Sequence, residues 1–373
     1  MGDTPLGWAA RNGHEEVVEI LLARSDIDPN KPGEFGQTLL LLAACNGHEG
    51  VVKLLLSRNC IDPDKPDDTG QTPLSGAASN GHEGVVKILL GRDDIKPNQP
   101  DIDGRTSLWW AAHCGYEGVV EILLGRDNID PDKPDDYGQT PLLRATYNGH
   151  EGVVKMLLGR DDIDHERSDN DDQTPLWVAA ADGMHKEIVR MLLGREDLDP
   201  NKPGKEGETP LGASAWNGDE EVVKMLLGRD DIDPDKPDNQ GRTPLSCASR
   251  FGSEGVVEIL LRQGNPNPDK PDRLGQTPLW WAACNGEAGV VKMLLGRDDV
   301  NPNKPDMLGR RPLHCAAENG HEGVVEILLR RGGVDPDKLD NQGRTALSYA
   351  TKNGHSRVVA LLQLPAAASH STD

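Results

Sequence analysis

One segment recurs along almost the whole chain, and that recurrence constrains the fold more than any other feature. A Thr-Pro-Leu start, a small-residue pair, Asn-Gly-His, Val-Val, Leu-Leu and an Asp/Pro-rich stretch return in fixed order. The threonine slot falls at Thr4, Thr38, Thr72, Thr106, Thr140, Thr174, Thr209, Thr243, Thr277, Arg311 and Thr345. Nine of the ten steps are 34 residues; the step from 174 to 209 is 35, with Met184 as the inserted residue. Eleven copies therefore cover residues 1–364 and leave an Ala/Ser tail, 365–373, expected to be disordered. Such a period implies a stack of small supersecondary units, not two or three globular domains.

Each copy reads as two helices and an extended loop. Thr72-Pro73 opens the first helix, with threonine at the N-cap and proline at the first helical position. Asn80-Gly81 closes it, glycine taking the left-handed slot. Val85, Val86, Leu89 and Leu90 line one face of the second helix. Pro97 then bars a helix, and Gly104 supplies a turn before the next threonine. One such unit cannot bury its apolar face, whereas stacked copies bury a continuous core of small and aliphatic side chains. That explains an aromatic content of only 3%, and makes the 42 glycines and 27 prolines a requirement of turns and caps.

Several function classes fall away. No apolar run approaches the roughly 18–20 residues of a membrane helix, Leu39–Ala44 being the longest notable one. The start Met1-Gly2-Asp3-Thr4 lacks the basic and apolar regions of a secretory signal. Six cysteines without paired spacing fit a reducing compartment, so a cytoplasmic or nuclear location is expected. A net charge of -22 argues against nucleic acid and anionic membrane as partners. The recurring His-Glu pairs have valine where a zinc-protease helix needs its second histidine, as at His82 and Val86. Those histidines are expected to order the inter-helix turn. The Asp62–Asp67 loop and its kin have too few oxygen ligands for a calcium loop and read as solvated acidic loops. No phosphate-cradling motif or activated nucleophile occurs, so no catalytic residue, cofactor or metal is expected.

At these residues the chain resembles the ankyrin repeat. Arg311-Pro312-Leu313-His314-Cys315-Ala316-Ala317 through Leu328-Leu329 is the copy most similar to the family pattern. The resemblance implies an all-α solenoid of about eleven helix-turn-helix-plus-hairpin units that binds protein or peptide through its concave groove, as a non-enzymatic, monomeric scaffold. The period here is 34 where the family usually has 33, and the family's histidine after Thr-Pro-Leu survives only at His314. The Gly-Arg-Asp-Asp-Ile-Asp-Pro-Asp-Lys-Pro-Asp loop is similar to loops of fungal arrays that follow a NACHT-type nucleotide-binding module. This leaves an alternative reading, in which the chain is the sensor fragment of a larger signalling ATPase. The apolar terminal copies allow either fraying ends or a longer protein.

Variation among the copies marks the candidate surface. It concentrates at the two tip residues before the turn glycine, at the residue before threonine and at the fifth residue after leucine. By the resemblance these slots line the groove. In copies 1–5 they hold Asp3, Glu34, Asp68, Asp103 and Asp136 against Arg11 and Arg105; in copies 8–11 they hold Arg242, Arg250, Arg273, Arg310, Arg344 and Lys352 against Glu318. With the apolar tips Leu274, Met307 and Leu308, the second set predicts a basic surface for an acidic or phosphorylated partner segment. Trp216, Tyr137 and Tyr147 are the expected aromatic contacts. Trp8, Trp109, Trp110, Trp177, Trp280, Trp281 and Tyr349 read as framework. The loop Ile163–Asp172, which lacks the usual prolines and turn glycine, and the insertion at Met184 predict a local weak point.

Overall fold

The computed structural model describes residues 4–24, 27–58 and 60–364. The expected disordered tail and Asp3 of the acidic set lie outside these residues. Among the described residues there are twenty-two α-helices and no strand, two helices to each of the eleven copies, numbered here 1–11 by threonine slot. The chain forms two compact units, Met1–Val178 and Ala179–Asp373, the division falling in the first helix of copy 6, Pro175–Asp182. Within each unit the first helices of neighbouring copies pack on one another, and the second helices do the same.

The local rules hold closely. All ten slot threonines cap their helices; the Thr72 hydroxyl accepts the Ser75 N–H at 3.1 Å and the Thr277 hydroxyl that of Trp280 at 3.1 Å. Copy 10 has Arg311 in this slot. There His314 compensates: its Nδ1 accepts the Arg311 N–H at 3.1 Å, while Nε2 meets the Lys338 carbonyl at 3.0 Å. Val85, Val86, Leu89 and Leu90 are buried as one stripe. First helices end on left-handed glycines such as Gly286, φ 83, where an added Cβ would lie 2.6 Å from the His321 ring.

That close approach corrects the reading of the recurrent histidines. They bond to the preceding copy: His48 Nε2 meets the Arg11 carbonyl at 2.8 Å, His82 that of Cys45 at 2.9 Å, and His321 that of Cys284 at 3.0 Å. The acidic loops are also more than solvated surface. Asp64 accepts the Lys96 N–H at 3.0 Å, Asp132 that of Asp164 at 2.8 Å, and Asp269 that of Asn301 at 2.9 Å. Lys270 and Lys304 reach back to the carbonyls of Asp235 and Asp269, at 2.6 Å each. Burial pushes the carboxyl groups of Asp64, Asp132 and Asp269 above the ordinary range, because the charged form loses water. Ile61, Ile95, Ile129 and Ile163 are buried beneath these loops.

Two copies depart from the pattern. In copy 5 the loop keeps its shape without glycine, and Asp172 adopts φ 58. In copy 8 the second helix, Glu254–Ile259, runs into a π turn, Leu260–Gly264. In copies 3, 5, 6, 7 and 9 an Arg-x-Asp clamp shapes this exit: Arg92 grips both oxygens of Asp94, at 2.8 and 2.7 Å, and Arg229 grips those of Asp231 at 2.9 and 2.7 Å. Copy 8 has Gln263 and Asn265 where that arginine and aspartate would stand, and Arg262 pairs with Glu258 at 2.8 Å.

Candidate binding surface

In copies 8–11 the varied slots are positioned by a buried aspartate, Asp238, Asp272, Asp306 or Asp340. Asp306, at the start of the turn, accepts the N–H groups of Leu308 and Arg310 through Oδ1, at 2.9 and 2.8 Å. Its Oδ2 accepts Arg310 Nε at 2.9 Å. Asp238 and Asp340 treat Arg242 and Arg344 alike, at 2.6 and 2.9 Å. A ring nine residues after the aspartate can also supply a donor, with or without arginine in the slot before threonine. Trp110 Nε1 reaches Asp101 at 3.0 Å and Trp281 Nε1 reaches Asp272 at 3.2 Å; in copy 11 the Tyr349 hydroxyl joins Arg344 on Asp340, at 2.8 Å. In copies 8–11 the aspartate therefore ties the turn to an arginine, to an aromatic ring, or to both.

This assembly corrects the charge expected for copies 8–11. Arg242, Arg310 and Arg344 are ion-paired with carboxylates whose side chains are almost wholly buried, and Arg310 also lies 3.6 Å from Glu318. Most of the local cationic excess is cancelled. Arg250, Arg273 and Lys352 have no acidic partner among the described residues. Leu274, Met307 and Leu308 are exposed tips, as expected, and their backbones link the copies: Met307 N–H meets the Leu274 carbonyl at 2.8 Å and Asn341 N–H that of Leu308 at 3.0 Å.

The arginines lie on rings. In the second unit Arg242 sits 5.2 Å from the Trp216 ring centre, Arg310 5.4 Å from Trp280 and Arg344 4.4 Å from Tyr349. Arg250 lies 4.4 Å from Trp281 and 5.6 Å from both Trp216 and Phe251. Trp216 and Phe251 pack against each other at 4.3 Å. Trp216 thus keeps its place in the candidate surface, which also gains Phe251 and Trp281. Trp109, Trp280 and Tyr349 are buried framework as expected, but Trp8 is 53% exposed and stacks on His14.

The first unit carries a second such cluster. Arg105 lies about equally over Trp109 and Trp110, at 5.1 and 5.2 Å, and Arg144 over Trp109 and Tyr147, at 5.4 and 5.7 Å. His113 Nδ1 accepts from Asn148 at 2.9 Å and Arg144 Nε at 3.3 Å, which puts the ring proton on Nε2. Burial, with the Arg144 charge beside it, lowers the His113 pKa. Tyr147 donates its hydroxyl to Gln173, and burial pushes its pKa up to about 12. Tyr137 is an exposed tip of this unit, while Trp216 belongs to the other. Arg144 escaped notice in the sequence. The signal was available: of the residues two after the helix leucine, it alone is charged.

Beside Met184 an open depression is lined by Asp182, Lys186, Asp219, Glu221 and Lys224. Its charges answer one another, Lys186 meeting Glu221 at 2.7 Å. No three His, Cys, Asp or Glu side chains converge as a metal site among the described residues, and no helix there is long and apolar enough to cross a membrane.

Comparison with known families agrees with the architecture. The model for ankyrin repeats (3 copies) matches residues 6–101, 93–169, 161–238, 215–306 and 298–372. No curated protein matches the chain.

Proposed function

Because the chain belongs to the ankyrin repeat family, whose members are generally protein-interaction modules, we propose that it is a protein-binding scaffold working through the tips and first helices of Ala179–Asp373. The observation that carries this reading is the run of guanidinium groups on aromatic rings from Trp216 to Tyr349. Flat rings give contact area at little entropic cost, and arginine adds directional donors; both are enriched where proteins bind tightly. Second helices offer no such surface, since all thirteen aromatics lie outside them. The ligand that fits is an extended acidic or phosphorylated segment, which meets unpaired Arg250, Arg273 and Lys352 and the apolar tips Leu274, Met307 and Leu308. The framework arginines position rings and turns without lending net charge.

A photo-crosslinking residue placed at 216 or 308, in cells that make the chain, tests the surface. Adducts to a protein are expected at both positions and not at Glu258, an exposed second-helix site. Adducts confined to position 258 would refute the reading.

A further inference from the structure

Arg250 differs from the other arginines of this surface. Arg242, Arg310 and Arg344 each spend Nε on a buried aspartate. Arg250 is only partly exposed, and its guanidinium donates no hydrogen bond among the described residues. It is held by three rings, nearest Trp281 at 4.4 Å. The rings are themselves fixed, Trp281 by its bond to Asp272 and Trp216 by its contact with Phe251. Asn285 anchors the Arg250 carbonyl at 2.9 Å. A cation on ring faces keeps the in-plane N–H edge of its guanidinium free, and that fork matches a carboxylate or phosphate.

A second observation points to the same place. Glutamine stands before threonine in copies 2, 3, 5 and 6; Gln139 of copy 5 accepts from Arg144 of its own copy at 3.3 Å, and in the other three the amide oxygen accepts from the preceding copy's fifth residue after leucine. Arg11 donates to Gln37, Cys45 to Gln71 and Tyr147 to Gln173. Gln276 occupies this slot in copy 9, and the corresponding residue is Arg250. The bond is not made. Gln276 is 6% exposed, and its Oε1 has no hydrogen-bond partner; neither has Nε1 of buried Trp280, four residues on. Copy 9 thus keeps an unmet acceptor and an unmet donor, both buried. Such groups normally find partners.

We propose that Arg250, in its cage of Trp216, Phe251 and Trp281, grips one oxyanion side chain of a bound peptide, with Gln276 accepting an N–H from the same segment. This deepens the scaffold reading and rests on it. Charge complementarity selects the occupant: of the arginines on these rings, Arg250 alone is unneutralised. A carboxylate and a phosphate monoester share the required geometry.

A random peptide library displayed on phage and selected on the full chain tests the proposal. The expected result is enrichment of Asp or Glu at one fixed position. In calorimetry, changing that residue to Gln in the synthetic peptide should weaken binding roughly tenfold or more. The same change should have no effect on the Arg250→Gln protein, and a partial effect on Arg250→Lys, which keeps charge but loses the fork. Phosphoserine at that position should bind at least as well as glutamate if the site takes phosphate; weaker binding assigns it to carboxylates. Arg242→Gln should retain the wild-type preference. Peptides enriched without an acidic position, or an acid preference that survives Arg250→Gln, would overturn this proposal and leave the scaffold reading standing. No enriched peptide at all would count against both.

Discussion

The division into framework and free arginines predicts a large asymmetry between Asp306 and Arg310. The Asp306 side chain is 2% exposed and receives three hydrogen bonds, two from backbone N–H groups of its turn and one from Arg310. Asp306→Ala strands all three donors. Two backbone bonds at about 1 kcal/mol each and one charge-assisted bond at about 1.5–3 kcal/mol give a loss of about 3–5 kcal/mol, the range found when one member of a buried pair is removed. Arg310→Met leaves both backbone bonds on the carboxylate intact and keeps an apolar stem over Trp280, so its cost should be that of the one charge-assisted bond, about 1.5–3 kcal/mol. Urea unfolding followed by tryptophan fluorescence measures the difference, and hydrogen exchange across residues 300–320 locates it. Exchange matters because copies that contact only their neighbours can unfold piecemeal. If Arg310→Met costs as much as Asp306→Ala, the aspartate serves the arginine rather than the turn, and the separation of roles fails.

Two further outcomes follow from the same frame. Burial alone would raise the Asp340 pKa, but the Arg344 N–H, the Tyr349 hydroxyl and the Arg344 guanidinium together hold it well below the usual carboxylate range. Its stabilisation is therefore full above the unfolded value of about 3.9 and is lost as pH falls through the folded value. Asp340→Asn should lower the melting temperature at pH 7, and the gap from wild type should close in strong acid; a gap independent of pH would contradict the assignment. In copy 5, Asp172 holds a left-handed backbone at φ 58 where other copies have glycine, at a cost of about 1–2 kcal/mol. Residues 163–172 should exchange amide protons faster than the matching loop of copy 4, and Asp172→Gly should slow them; equal rates in the two loops would dispose of the weak point.

What could be read from the sequence depended on the range of the interaction. Caps, left-handed glycines and the stripe of Val85, Val86, Leu89 and Leu90 are set by neighbours within one copy, and the structure repeats them. The links between copies were harder to see, since their partners stand some 30 or more residues apart: His82 to Cys45, Asp64 to Lys96. The charge of the surface was misjudged for a related reason. A sum over the varied slots counted Arg242, Arg310 and Arg344 but left out Asp238, Asp306 and Asp340, because that position is aspartate throughout copies 8–11 and looked like a loop residue. Constancy across copies 8–11 marked a buried partner, not an absence of electrostatic effect.

That relation between constant and varied residues also determines where recognition can evolve in such a chain. The constant aspartate takes whichever donor a copy provides, Arg310 from the slot before threonine or Trp281 from the first helix. Exchanging one donor for the other leaves the turn satisfied but changes what faces outward: a neutralised guanidinium in one case, a ring with no charge of its own in the other. In copy 9 the ring has taken the aspartate, and Gln276 fills the slot that arginine occupies in copies 8, 10 and 11. Arg250 from the preceding copy then settles on the Trp281 face with no carboxylate within reach of its donors. The unpaired cation is thus a consequence of which donor copy 9 uses. Restoring an arginine at position 276 would offer Asp272 a second donor and set a like charge beside Arg250, so Gln276→Arg should weaken acidic-peptide binding although it adds positive charge. A purely electrostatic surface would respond in the opposite direction.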